Sequence, residues 1–189
     1  MSARRQRQMC IRDSHRQGLD FQICKHFNLD ISKKPDLSRW YKINEIQKKF
    51  NYIFYTQDWH PIDHISFSTN NVGKEVFSTI EVPYGKQVIW PPHCVFNTKG
   101  AEFHKELDVK YANAIIRKGF RKEIDSYSGF FENDKVTPTG LEGLLKTLKI
   151  KSVFICGLAL DFCVNYTALD AQSPVSYTHL TLPTSTHVV

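Results

Sequence analysis

The segment ICGLALDFC, residues 155–163, places a cysteine directly after a strand pattern and in the first turn of a predicted helix. The apolar run KSVFICG ends in a turn, and DFCVNYTALDA has helical spacing with Asp161 as its predicted N-cap. A helix N-terminus favours the thiolate and offers outward-pointing backbone N–H groups. Cys163 is therefore a candidate nucleophile, although core packing is the alternative, because cysteines are among the most buried residue types.

A second group of residues has the types and spacing of metal ligands. Asp58 and His60 follow the strand pattern NYIFYT two residues apart, so on extended backbone their side chains point the same way. His64 lies four residues further on, and His93, in WPPHC, follows another strand candidate. Histidines that only form hydrogen bonds in a polar loop are the alternative. We predict one divalent metal ion at this place, zinc first, with iron and manganese also admissible.

Three further residues are candidates for the same pocket. Lys118 ends the strand pattern ANAIIRK, where a lysine usually lies along the surface. If it points into a cleft, it could hold a thiolate by charge or shuttle a proton, and it is the best basic partner for Cys163, which has no histidine nearby in sequence. Trp90, usually a core residue type, could stack on a planar ring. Cys94 is a softer alternative ligand to His93.

Alternating strand and helix patterns position these residues. Strands are predicted at 51–56, 86–90, 112–119 and 151–157. Helices are predicted at 139–149, at 161–171 and from Tyr41, with Ile43, Ile46 and Phe50 on one face. Residues 57–85 are expected to be mostly loop, and Thr139 with Glu142 forms a capping box. The alternation implies an α/β fold, in which function gathers at the carboxyl ends of parallel strands.

Composition narrows the class of protein. The 189 residues suit about one domain, and no apolar run approaches the ~20 residues of a membrane span. Five cysteines without a tight pairing pattern favour a reducing, cytoplasmic location. The net charge of +6 falls to +2 outside residues 1–18, which hold five arginines and one aspartate. We therefore expect neither nucleic acid nor membrane as a partner.

The two ends differ from the body of the chain. Residues 1–18 show no helical or strand period, and residues 173–189 are rich in Ser, Thr and Pro with no charged side chain. Disordered termini are one interpretation. We favour a non-native origin for both, because QMCIRDS and VSYTHLTLPT resemble translated adapter or vector sequence. Residues 19–39 have no clear period, and the domain is predicted to span 40–172.

Three segments together resemble the nicotinamidase family, amidases of the isochorismatase-like cysteine hydrolase superfamily. They are TQDWHPIDHISF, WPPHCVFNTKGAEFH with RKGFRKEIDSYSGFF, and ICGLALDFCVNYTALDA, and the match runs from about Tyr41 to Ala171. The resemblance implies a doubly wound parallel sheet with helices on both faces, incomplete at both ends of this chain. It also implies hydrolysis of nicotinamide to nicotinate and ammonia in NAD salvage, and it leaves a homo-oligomer open.

The resemblance also implies catalytic roles. Cys163 would attack the carboxamide carbon and form a thioester, and Lys118 would stabilise charge within the catalytic triad. The Leu158–Ala159 peptide would be cis. The backbone N–H groups of Ala159 and Cys163 would form the oxyanion hole.

For binding, the resemblance makes Asp58, His60 and His93 the metal ligands, with His64 a fourth ligand in some members. The metal would hold the pyridine nitrogen of the substrate. Trp90 would line the pocket for the ring.

One part of the family pattern is absent from the sequence. The family's triad needs an aspartate in a first-strand motif of the type Asp–x–Gln–Asn–Asp–Phe, and none occurs here. Asp20, in GLDFQIC, lies in roughly the right part of the chain, but its neighbours do not match and it is not assigned the role. A strand and a helix expected after Ala171 are also missing. We therefore expect the chain as written not to hydrolyse nicotinamide, and the alternatives are another superfamily amidase or an inactive fragment or pseudoenzyme.

Overall fold

The computed structural model describes residues 8–11, 39–157 and 159–172. Its strands are β1 Gln8–Ile11, β2 Tyr52–Asp58, β3 Thr79–Val82, β4 Gly85–Val88, β5 Ala114–Lys118 and β6 Ser152–Ile155. Its α-helices are α1 Arg39–Gln47, α2 Leu141–Thr147 and α3 Asn165–Ala171. Asp20, the Leu158–Ala159 peptide and the segment 173–189 lie wholly or partly outside the described residues, so the predictions made for them stay predictions.

Four strands form a parallel sheet in the order β5-β2-β1-β6. β1 pairs with β2 on one side and with β6 on the other, and β5 extends the sheet beyond β2. The chain thus adds strands first on one side of β1 and then on the other, which is the doubly wound arrangement that was predicted. The carboxyl ends of the strands share one edge, and the site of such sheets lies where the strand order reverses.

Helices cover both faces of the sheet. Successive strand residues point to opposite sides, and apolar side chains on both sides pack against helices. On one face, Phe54 and Val153 pack with Leu141 and Leu145 of α2. On the other face, Ile53 packs with residues of α1, including Ile43 and Ile46. Among the described residues, no helix combines the length and the apolar character needed to cross a bilayer.

Two parts of the chain differ from the sequence-based expectations. β1 lies within residues 1–18, where no strand period was found, and it occupies the middle of the sheet. The strand predicted at 86–90 is β4, which pairs antiparallel with β3 in a separate hairpin rather than joining the parallel sheet. Gly85, with φ of +116°, permits the tight turn between them. β3 lies within residues 57–85, which were expected to be mostly loop, so that expectation missed a strand.

The predicted helix starts are wrong in detail. Gly140, with φ of +97°, precedes α2, and the Thr139 hydroxyl donates to the carbonyl of Gly129 rather than closing a capping box. Asp161 lies inside a π-helical turn, Leu160–Val164, that leads into α3, so it is not the N-cap. The chain therefore enters α3 through a widened turn, and this turn carries Cys163.

Candidate metal and thiol site

The ends of β2 and β5 bring a carboxylate and an ammonium group together. Asp58 ends β2, Lys118 ends β5, and the register pairs these two residues directly. Lys118 is 1% exposed, and its Nζ contacts the Asp58 carboxylate as a buried ion pair. The unusual burial of a lysine is thus offset by an opposite charge.

The same lysine reaches the thiol. Lys118 Nζ lies 3.3 Å from Cys163 Sγ and donates to the carbonyl of Ser126 at 3.0 Å. Thr167 fixes the turn that carries the thiol, because its hydroxyl donates to the Cys163 carbonyl and accepts from the Gly129 N–H. Lys118 therefore places a positive charge between Cys163 and Asp58.

Three of the predicted metal ligands are brought together. One ligand atom each from Asp58, His60 and His93 lies within 4.8 Å of the others. The His60 Nδ1–H donates to the carbonyl of Gly119 and the His93 Nδ1–H to that of Pro91, each at 2.8 Å. In both rings Nε2 therefore carries the lone pair that a metal ion needs, and the donor set fits a divalent cation.

Backbone pairing explains how His93 reaches this place without ending a strand of the main sheet. The His60 N–H donates to the Cys94 carbonyl, and the Phe96 N–H donates to the His60 carbonyl. Cys94, with φ of +46°, is buried and belongs to neither ligand group found among the described residues. Of the neighbours His93 and Cys94, only His93 joins Asp58 and His60 in a ligand group, as expected for adjacent residues on extended backbone.

Sequence analysis missed Asp125, which forms a second ligand group with His60 and His64. Asp125 lies in the loop after β5 and is buried, and its carboxylate accepts from the Gln87 side chain and the Ser126 N–H, both at 2.8 Å. The only available signal was its position in RKGFRKEIDSYSGF, a segment already singled out for Lys118.

Burial and charge set the ionisation of these groups. Burial lowers the pKa of His60 to about 4 and also lowers the pKa of His64, so both rings are neutral near pH 7. Burial alone would raise the pKa of Asp58, but the charge of the Lys118 cation opposes it and holds that pKa below its usual range. The site thus presents a carboxylate and neutral imidazoles, the protonation states that a metal ion requires.

An aromatic wall stands beside the histidines. The ring of Trp90 lies 4.8 Å from that of Phe162 and 6.2 Å from that of His93, measured between centroids. The Trp90 Nε1–H donates to the Tyr127 hydroxyl, which also accepts from Gln87 Nε2. Burial raises the pKa of Tyr127, so it stays a neutral phenol. Of these side chains the sequence pointed only to Trp90.

The turn before Cys163 carries the second predicted oxyanion donor. The Ala159 carbonyl accepts from the N–H groups of Phe162 and Val164, and this bonding pattern keeps Ala159 at the start of the π-helical turn. Its predicted role stays a prediction.

The structure predicts selective alkylation of Cys163. Cys94 and Cys156 are 2% and 5% exposed, whereas Cys163 is partly exposed beside the Lys118 ammonium, which favours its thiolate. After treatment with a limiting amount of iodoacetamide near pH 7, mass spectrometry of the peptides that carry these three cysteines should find Cys163 modified first among them. Faster modification of Cys94 would mean that Cys94, and not Cys163, is the reactive thiol.

Glu132, outside the ligand groups, should make stability depend on pH. Its side chain is buried, and one oxygen pairs with Arg121, whereas the other has no hydrogen-bond partner in the described part of the chain. Burial raises the pKa of Glu132 from 4.5 to about 7. Between these pH values the folded protein keeps a proton that the unfolded chain has lost, so stability falls as the pH rises. From pH 5 to pH 8, urea unfolding should show the wild type losing on the order of 1–3 kcal/mol relative to Glu132→Gln. An equal difference at both pH values would contradict this.

The chain is similar in sequence and in fold to known nicotinamidases. The chain is 55% identical to a nicotinamidase of Acinetobacter baylyi over 130 residues, which are 69% of this chain and 61% of the relative. It spans about three fifths of the length of the curated relatives it matches. A solved nicotinamidase/pyrazinamidase of Acinetobacter baumanii superposes with a TM-score of 0.78 at 40% identity, covering 94% of this chain and 83% of the other.

A pyrazinamidase of Pyrococcus horikoshii, solved in complex with zinc, superposes with a TM-score of 0.59 at 31% identity, covering 92% of this chain and 82% of the other. The sequence profile of the isochorismatase domain matches residues 43–173, most of the described structure. The resemblance inferred from the three segments is confirmed, and the chain belongs to the isochorismatase domain family.

Proposed function

We propose that this site hydrolyses nicotinamide to nicotinate and ammonia, with Cys163 as the nucleophile. The observation that carries the proposal is the contact of Cys163 Sγ with Lys118 Nζ at 3.3 Å, next to a group of metal ligands and an aromatic wall. The names of the similar proteins, nicotinamidases in both comparisons, support the choice of substrate.

In the first half of the reaction, the Cys163 thiolate adds to the carboxamide carbon. The C–N bond then breaks, the nitrogen takes up the proton that the Cys163 thiol released and leaves as ammonia, and an acyl thioester remains on the sulfur. Water attacks the thioester carbon in the second half, which releases nicotinate and restores the thiol. Lys118 holds the negative charge on sulfur before attack, and the N–H groups of Ala159 and Cys163 receive the charge on the carbonyl oxygen.

Asp58, His60 and His93 would hold a divalent ion, with His64 next to them. Zinc is proposed first, because the donor set suits it and a similar protein was solved with zinc. When bound, the ion supplies a Lewis acid for the ring nitrogen of the substrate. Trp90 and Phe162 offer aromatic faces and edges to a planar ring, and they exclude water from one side of it.

The acid–base aspartate of the family is assigned to no described residue, and Asp20 lies outside the described part of the chain. General acid–base catalysis typically contributes ~10²–10⁴-fold, so the expectation that residues 1–189 do not hydrolyse nicotinamide stays a prediction. An inactive pseudoenzyme that keeps the metal ligands is the second candidate, favoured by the absent motif.

The test is a chimera in which everything outside residues 43–172 comes from a relative. Residues 43–172 replace the matching segment of the Acinetobacter baylyi nicotinamidase, which then supplies the first strand and the remaining C-terminal elements. The chimera should release ammonia from nicotinamide, its Cys163→Ala variant should not, and residues 1–189 alone should be ~10²-fold slower or worse. A folded chimera without activity would favour the pseudoenzyme.

A cytoplasmic location is also proposed. Five cysteines in 189 residues without a tight pairing pattern suit a reducing compartment. The homo-oligomer that the sequence left open stays a prediction.

A further inference from the structure

Asp125 is a buried carboxylate that faces imidazoles. It is 3% exposed, and among the described residues it forms no salt bridge with a lysine or arginine; its acceptor contacts are the Gln87 amide and the Ser126 N–H. The titratable groups near it, on its own loop and on other elements, are His60, His64, Glu132 and the tyrosines at positions 84 and 127. Ionising a carboxyl group at such a buried place is costly unless a cation lies beside it, and a metal ion bound there would supply one.

His60 is shared by both ligand groups. It belongs to the group with Asp58 and His93 and to the group with His64 and Asp125, and in each group the ligand atoms lie within 4.8 Å of one another. Its Nδ1–H donates to the Gly119 carbonyl, so only Nε2 can bind a metal ion. One lone pair serves one ion at a time, and the two groups therefore exclude each other.

The hydrogen bonds of His64 set a condition on this role. Its Nδ1 lies 2.8 Å from the Ser66 hydroxyl and accepts from the Ser66 N–H at 3.3 Å, and its Nε2–H faces the Ile124 carbonyl at 3.4 Å. A metal ion therefore binds His64 either at Nδ1, in place of the Ser66 contacts, or at Nε2 after the proton has moved to Nδ1, where the Ser66 hydroxyl can accept it.

We propose that the centre holds a single divalent cation with two alternative positions that share His60: one next to the thiol, bound by Asp58 and His93, and one away from it, bound by His64 and Asp125. The second position neutralises Asp125 and offers two imidazoles and one carboxylate, a donor set that zinc accepts. The inference rests on the metal centre of the proposed function, and it does not depend on nicotinamide hydrolysis.

A double-mutant cycle on residues 1–189 tests the proposal through Zn²⁺ affinity. The dissociation constant is measured by competition with a chromophoric chelator, and the stoichiometry by elemental analysis. The wild type should bind one Zn²⁺ per chain. His93→Ala and Asp125→Asn should each weaken binding by ~10-fold or less, because the other position remains, and at most one of them should have a large effect. The double variant should weaken binding by ~100-fold, which exceeds the product of the two single effects.

Two further variants control for misfolding and for a general effect of negative charge. His64→Gln, added to His93→Ala, should reproduce the loss seen with Asp125→Asn, which covers the case in which the aspartate variant fails to fold. Asp63→Asn changes an exposed carboxylate beside His64 that pairs with Lys122, and it should leave the affinity unchanged. Thermal unfolding of each apo variant checks the fold.

Three results would overturn the proposal. Asp125→Asn and His64→Gln without effect in the His93→Ala background would show that no second position exists. Two Zn²⁺ ions per chain, or single effects of ~100-fold that simply multiply, would show two ions or one common ligand shell. Ammonia release plays no part in these measurements, so failure here and failure of the proposed reaction are distinguishable.

Discussion

Replacing Lys118 with methionine is expected to destabilise the apo protein by ~3–5 kcal/mol. Methionine fills the same buried space, but it leaves the Asp58 carboxylate as an uncompensated buried charge and removes the cation from Cys163. Urea unfolding monitored by circular dichroism measures the loss. Saturating Zn²⁺ should recover part of it, because a metal ion beside Asp58 supplies the missing positive charge.

Lys146→Met is the matched control, since Lys146 pairs with Glu142 on the exposed side of α2. This change should alter stability by less than ~1 kcal/mol. Equal effects of the two substitutions would mean that Lys118 contributes no more than a surface ion pair. Absence of any rescue by Zn²⁺ would place the metal ion away from Asp58.

Gly119→Ala should remove metal binding almost completely. Gly119 has φ of +65°, and a Cβ there would overlap the imidazole of His60, 2.5 Å from Nδ1. His60 would have to move and lose its bond to the Gly119 carbonyl, which sets the tautomer that binds metal. Because His60 serves both ligand groups, no alternative position remains, and Zn²⁺ affinity should fall by ~100-fold or more.

Gly140→Ala separates the overlap from the backbone strain. Gly140 also has positive φ, but nothing lies within 4 Å of the Cβ that alanine would add. Both variants should lose ~1–2 kcal/mol of stability from the left-handed backbone, and only Gly119→Ala should lose Zn²⁺. Equal Zn²⁺ affinity in the two variants would show that His60 tolerates a shift without loss of the ion.

Much of the site could be predicted because its residues follow strands of the parallel sheet. β2, β5 and β6 have clear hydrophobic patterns, so Asp58, Lys118 and Cys163 were expected at one edge. The direct pairing of Asp58 with Lys118 was not, because it depends on the register of two strands 60 positions apart in sequence. Sequence periodicity identifies strands, but it does not give the register between them.

The missed parts lack a local signal. Asp125 does not come directly after a strand, and it reaches His60 through the fold of the loop after β5, which Gln87 from the hairpin contacts. β1 is only four residues long and begins with glutamine, so its pattern is too short to separate from a loop. Only its partners on both sides, β2 and β6, identify it as a strand.

The central place of β1 has a consequence for protein synthesis. Its two neighbours are made at very different times, because Gln8 pairs with Ser152, 144 positions later in the chain. A growing chain on the ribosome therefore carries a strand with one open edge until β6 has emerged. Parallel pairing over such distances is slow, and open edges recruit other chains. The yield of folded protein in a cell should therefore depend more on chaperone supply and synthesis temperature than on the stability of the finished domain.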